Sequence, residues 1–148
     1  MSRLERLITG NLAESDVVEE SGDFMLIEGI TCSDGVSLSV QASRSHYSSP
    51  RSLYGPYSKV EVGFPGKDDK PFNMPDEWLN YAGRLLIDWD DPDDEDLENN
   101  AAQIERFRQM AGGVYQSSNG TYLNGVWAWV PVELVRAFVA DHGGEVEE

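Results

Sequence analysis

The sequence predicts an α+β fold, a mainly antiparallel sheet with two or three helices packed on one face. Three features lead there. Val36, Leu38 and Val40 alternate with Ser37, Ser39 and Gln41, and Val60, Val62 and Phe64 alternate with Lys59, Glu61 and Gly63. A period of two marks strands with one buried and one wetted face. Asp34-Gly35 sits between the apolar stretches 24–31 and 36–43, a strong hairpin signal because such turns need positive φ. Near both ends of the chain, apolar residues recur at helical spacing between residues suited to start and stop a helix.

Taken in order, Leu4, Leu7 and Ile8 fall at helical spacing within 2–9, with Ser2 placed to cap the helix and Gly10 to stop it. Residues 11–23 are acidic and weakly patterned, which reads as a linker. The expected layout is one domain over 1–148, with a short helix and acidic linker (1–23) leading into an α+β core (24–148). Residues 24–31 and 36–43 are the first two strands. A polar, aromatic, locally basic loop over 44–57 leads to a third strand at 58–64, which Pro65 and Gly66 end.

Residues 75–82 read as a short helix. Pro75 suits its first position, Asp76 and Glu77 suit its positive end, and Gly83 suits its stop. Residues 85–89 are a candidate strand. A longer helix then starts with Asp91 as cap and Pro92 at its first position, and Leu97, Ala101, Ile104, Phe107 and Ala111 continue it to Gly112-Gly113. A second β section over 114–130 turns at Asn119-Gly120 and Asn124-Gly125. Its last strand places Trp127 and Trp129 on one face, where an exposed pair would signal a partner surface. Pro131 opens the final helix, whose Val132, Leu134, Val135, Phe138 and Val139 form a wide apolar face.

The chain has 148 residues, enough to bury about 70% of its unfolded surface without staples. Cys32 is the single cysteine, so no intramolecular disulfide forms, which fits a reducing compartment. The apolar runs are too short to span a bilayer, and no apolar segment follows Arg3 and Arg6, so neither a membrane span nor a signal peptide is expected. The expected location is the cytoplasm. A formal net charge of −16, from 27 acidic and 11 basic residues, repels nucleic acid and anionic membrane and favours basic partners. Direct nucleic-acid binding is therefore not expected.

Two stretches are candidates for function. The first is the loop 44–57, where Arg44, His46 and Arg51 form a positive island in an acidic chain. Arginine forks suit phosphate or carboxylate, Ser48 adds a neutral donor, and Tyr47, Tyr54 and Tyr57 offer rings for stacking. That inventory suits a nucleotide-like anion, and Pro50 and Pro56 would stiffen the loop. The structural alternative has the arginines paired with nearby carboxylates and the tyrosines covering a sheet edge.

The second is the acidic run 88–98, with eight carboxylates in eleven residues: Asp88, Asp90, Asp91, Asp93, Asp94, Glu95, Asp96 and Glu98. It offers a contact surface for a basic protein, or simply a solvated helix start. A calcium loop of the EF-hand type does not fit, because counting from Asp88 the fifth place is Pro92 and the sixth is Asp93 rather than glycine. No phosphate loop, zinc motif, CxxC pair or nucleophile elbow is present, and no cofactor or metal is expected. Cys32 has no basic neighbour in sequence to activate it. His142 sits beside a helix stop, where a cation is favourable in its own right. A His46–Ser48 pair supports only a weak hydrolase reading.

Several segments carry a resemblance: Gln41-Ala42-Ser43, His46-Tyr47-Ser48-Ser49-Pro50-Arg51, Gly55-Pro56-Tyr57, Val60-Glu61-Val62-Gly63-Phe64-Pro65, Val130-Pro131-Val132-Glu133-Leu134-Val135 and His142-Gly143-Gly144. Together they resemble a family of small accessory proteins of tailed phages that has no assigned function. The resemblance covers the middle and the C-terminal end and supplies no catalytic residues. It implies a host cytoplasm and action on host machinery or antiviral defence. The leading expectation is a non-enzymatic, phage-encoded inhibitor that meets a basic surface on a host or defence protein. The runner-up sequesters a nucleotide-like signal through the loop 44–57, and the third is a hydrolase using His46. Homo-oligomerisation is left open.

Overall fold

The structure, a computed structural model, describes residues 2–22, 24–68, 70–72, 74–84, 115–116 and 122–146. The strand expected at 85–89, the acidic run 88–98 with its helix to Ala111, and the turn at Asn119-Gly120 lie outside these residues.

Helix α1 (Arg3–Thr9) begins where the Ser2 hydroxyl accepts a hydrogen bond from the Glu5 amide, and it stops at Gly10 in the left-handed conformation, φ +77°. Leu4, Leu7 and Ile8 are its buried face, as their spacing requires. The stretch expected to be a linker is folded instead. Glu14–Asp16 form a 3-10 turn, and strand β1 (Val17–Ser21) pairs antiparallel with β2 (Phe24–Ile27). Its acidic composition misleads because one carboxylate goes inward: Asp16 is 1% exposed and is gripped by Arg3 and Arg6 of α1.

Strand β3 (Ile30–Thr31) turns through Ser33-Asp34-Gly35 into β4 (Ser37–Gln41), so the Asp-Gly hairpin forms as expected. Only the end of the run 24–31 takes part, since its first half pairs with β1. Strand β5 (Lys59–Lys67) follows the loop, then β6 (Lys70–Pro71), a 3-10 turn at Asp76–Tyr81, β7 (Ala82–Arg84), β8 (Tyr115–Gln116), β9 (Tyr122–Pro131) and helix α2 (Val132–Asp141). The main sheet runs β3-β4-β5-β9-β7, with β6 beside β5 and β8 beside β9, and every pairing is antiparallel. The fold class is α+β.

Val36, Leu38, Val40, Val60 and Val62 line the core with the apolar faces of α1 and α2. Leu4, Leu7 and Ile8 of α1, Trp78 of the turn at Asp76–Tyr81, and Val135, Phe138 and Val139 of α2 join these strands in one core cluster. The Arg136 guanidinium on α2 forks onto Glu5 of α1 at 2.7 and 3.0 Å, and Phe138 meets the ring of buried Trp78 edge-on at 5.6 Å. The segment 75–82 forms a 3-10 turn rather than an α-helix, with Pro75 preceding it as cap, and Ala82 already extended into β7 where Gly83 was expected to stop a helix.

Three side chains depart from the expected alternation, each for a tertiary reason. Gln41, expected in water, is buried under β2. Its side-chain amide copies a strand: Oε1 accepts from the Ile27 amide at 2.8 Å, and Nε2 donates to the Ile27 carbonyl at 2.9 Å. Gln41→Leu strands both Ile27 groups without a partner, and a loss of about 2–3 kcal/mol is expected by urea unfolding. Phe64, expected in the core, is exposed because the register between β4 and β5 slips at Ser37–Ser39 and puts Phe64 at φ +49°. Pro65 is buried in its place, inside a strand that it was expected to end. Trp129, expected on the same face as Trp127, is turned away from it by a second slip, at Val60–Val62 against Trp127–Val130. Asn124-Gly125 makes no chain reversal; both residues run within β9.

The C-terminal segment clips onto the β3–β4 hairpin. The Ser33 amide donates to the Gly144 carbonyl at 2.9 Å, the Val146 amide donates to Thr31 at 2.8 Å, and Cys32 bridges Glu145. Burial, with Asp34 and Glu145 nearby, pushes the Cys32 thiol up to about 11. The native thiol is therefore expected to resist Ellman's reagent at pH 8 and to react at the unfolded rate in urea; rapid native labelling would contradict this packing.

Candidate functional site

The loop 44–57 is an ordered clasp anchored at both ends. The Ser49 amide donates to the Lys59 carbonyl at 3.0 Å and the Ser49 carbonyl accepts from the Ser58 amide at 2.8 Å, which closes the loop onto the start of β5. At its far end the Tyr57 amide donates to Ile8 at 2.7 Å and the Tyr57 hydroxyl donates to the Ser52 carbonyl at 2.7 Å. Gly10 and Gly55 lie back to back there. A Cβ on Gly10 would stand 3.0 Å from the Gly55 backbone, and one on Gly55 would stand 2.9 Å from the Tyr57 ring. The peptide bonds before Pro50 and Pro56 are cis.

The seven loop residues singled out from the sequence divide into two sets. His46, Ser48 and Tyr57 are buried, while Arg44, Tyr47, Arg51 and Tyr54 are exposed. The buried three hold the loop. His46 Nδ1 and the Ser43 hydroxyl share a hydrogen bond of 2.7 Å, and the Ser48 hydroxyl donates to the Ser43 carbonyl at 3.2 Å. Burial lowers the His46 pKa, so the ring is neutral at pH 7. Burial likewise pushes the Tyr57 phenol up to about 12.

Ser43 and His46 have the separation of a nucleophile and its base, but Ser43 is 0% exposed and the His46 ring packs against Phe24 at 5.3 Å. With Ser43 buried, this hydrogen bond ties the loop to the residues that follow β4. His46 and Ser48 meet only through backbone, where the Ser48 amide donates to the His46 carbonyl.

Above this buried layer stands an exposed aromatic pair. The rings of Tyr47 and Trp129 are 5.0 Å apart, and the two residues are 47% and 45% exposed. Their backbones are joined as well, since the Trp129 amide donates to the Tyr47 carbonyl at 3.1 Å. The Tyr47 amide in turn donates to the Glu61 carboxylate, whose pKa is raised by burial and partly restored by that bond. His46 Nε2 lies 3.9 Å from the same carboxylate. Neutral His46, half-buried Glu61 and the β9 bulge thus form a fixed seat for two outward rings.

Sequence reasoning singled out Tyr47 as a ring for stacking on a ligand, and it gave Trp129 the wrong face. It also missed Ser43 and Glu61, which read as ordinary strand positions. The interaction candidates Asp88, Asp90, Asp91, Asp93, Asp94, Glu95, Asp96 and Glu98 lie outside the described residues. Among the described residues, no group of three or more His, Cys, Asp or Glu could hold a metal ion, and no helix is long and apolar enough to cross a membrane. Compared with known protein families, curated proteins and solved structures, the chain matches none.

Proposed function

We propose that this chain is a non-enzymatic binding protein that docks a basic protein partner, with Tyr47 and Trp129 as the anchor of the contact. Its leading form is a phage-encoded inhibitor of a host or antiviral-defence protein, a setting that rests on the resemblance of the loop and C-terminal segments. One observation carries the docking reading: two large rings stand exposed on a rigid seat in a chain of net charge −16. Trp and Tyr are the residues most enriched where interfaces concentrate their energy, and pre-ordered rings bind with little further loss of freedom. The surrounding negative field supplies attraction and selects for a basic face.

A nucleotide-like ligand is less well served. The exposed Arg44 and Arg51 come from a loop whose neighbouring pocket is lined by Glu14 and Glu20 and by no lysine or arginine.

The test is capture on immobilised wild-type chain beside Trp129→Gly, from cell lysate, with a salt gradient for elution. A protein retained by wild type, released as salt rises, and absent from the variant is the expected result. Equal retention by the variant, or retention insensitive to salt, would remove this reading.

A further inference from the structure

A second feature is a pocket of about 400 Å3 lined by residues from the end of α1, the segment 12–14, β1, β2 and residues 53–57. That volume falls in the range of small-molecule sites. Leu7, Leu12, Val17, Met25 and Leu53 give it apolar walls. Its base is set by the bonds described above, from Tyr57 to Ile8 and to Ser52, and by the Gly10–Gly55 contact, so the cavity is preformed. Two exposed carboxylates, Glu14 and Glu20, line its mouth together with the exposed ring of Tyr54. Among the described residues neither glutamate forms an ion pair.

We propose that this pocket binds a small organic cation with an apolar body. Each part of the lining selects for one part of such a ligand. The aliphatic walls reward burial of a ring or short chain. Glu14 and Glu20 attract an ammonium held at the mouth, and the Tyr54 ring offers its negative face to the same charge. An anion is rejected by both carboxylates and by the field of the whole chain. A bare metal ion gains nothing from aliphatic walls, which cannot replace its water. The site is independent of the Tyr47–Trp129 contact, since neither residue lines it.

The experiment is isothermal titration of the full chain with 2-phenylethylammonium, beside ethylammonium, which lacks the ring, and 3-phenylpropanoate, which carries the opposite charge. Saturable binding of one phenylethylammonium per chain is expected, with no saturable heat from either control. A Glu14→Gln/Glu20→Gln variant is expected to bind about tenfold more weakly. Ala13→Phe, which adds a ring at an exposed lining position, is expected to abolish binding. If circular dichroism shows that variant unfolded, Leu53→Trp blocks the opposite wall and is expected to do the same. Trp129→Gly is expected to bind the probe as wild type does, which separates failure of this site from failure of the docking surface. Absence of saturable binding overturns the proposal. So does equal binding of the propanoate, or undiminished affinity in the folded filled-pocket variant.

Discussion

Asp16→Asn is expected to lower the unfolding free energy by about 3–5 kcal/mol, the usual result of removing one member of a buried ion pair. The asparagine fills the same space but cannot answer two guanidinium groups. In the wild type, Arg6 donates to the carboxylate through Nε and Nη2, both at 2.7 Å, Arg3 Nε donates at 3.1 Å, and the Ala13 amide donates at 2.9 Å. Arg3 also donates to the Gly29 carbonyl at 2.8 Å, and the Asp16 carbonyl accepts from the Glu28 amide at 2.9 Å. One residue therefore binds α1, the 3-10 turn and the link between β2 and β3.

The pH dependence has a definite sign. Hydrogen bonding from Arg6, the largest effect, holds the Asp16 carboxyl well below the usual carboxylate range despite its burial. A depressed folded pKa gives stability that is complete above the unfolded value of about 4 and is lost as pH falls through the folded one. Urea unfolding should therefore show a constant gap between wild type and Asp16→Asn from pH 6 to 8, narrowing below about pH 4. A gap under about 1 kcal/mol at pH 7 would mean that the pair holds nothing together.

Trp129→Gly is expected to separate folding from binding. Trp129 has φ +52°, a conformation costing roughly 1–2 kcal/mol for a residue with a side chain and nothing for glycine. Glycine relieves that strain and loses the contact with Tyr47, which is worth about 0.5–1.5 kcal/mol beyond area burial. Roughly half of the ring is also buried, so its removal forfeits a further ~2–3 kcal/mol of area burial, and stability is expected to fall by about 2 kcal/mol with the fold kept. Partner affinity, in contrast, is expected to fall by about 2–4 kcal/mol, the loss typical of a central tryptophan. A variant that unfolds, or that binds as wild type does, contradicts this account.

The candidate site was half legible in the sequence. The loop 44–57 stood out because its charge opposes that of the chain and its rings are concentrated, and Tyr47 proved to be an exposed member of the aromatic pair. Its histidine and one serine instead turned inward, because a clasp closed at both ends needs internal hydrogen bonds for its buried polar groups. Glu14 and Glu20, which line the pocket, sat in a segment that composition marked as a linker.

What the sequence by itself determined is local. Ser2 and Gly10 bounded the first helix, Asp34-Gly35 turned the β3–β4 hairpin, and the alternation through Val36–Val40 and Val60–Val62 set the buried face of two central strands. These follow from backbone preference and side-chain period, which neighbouring residues decide among themselves. Tertiary structure alone decided that Asp16 is core, that Gln41 acts as a strand partner, and that Phe64 and Trp129 face outward. Each of those outcomes depends on a partner far along the chain. An arginine pair neutralises a carboxylate, a covering hairpin needs its backbone satisfied, and a one-residue slip between strands reverses which face every later side chain meets.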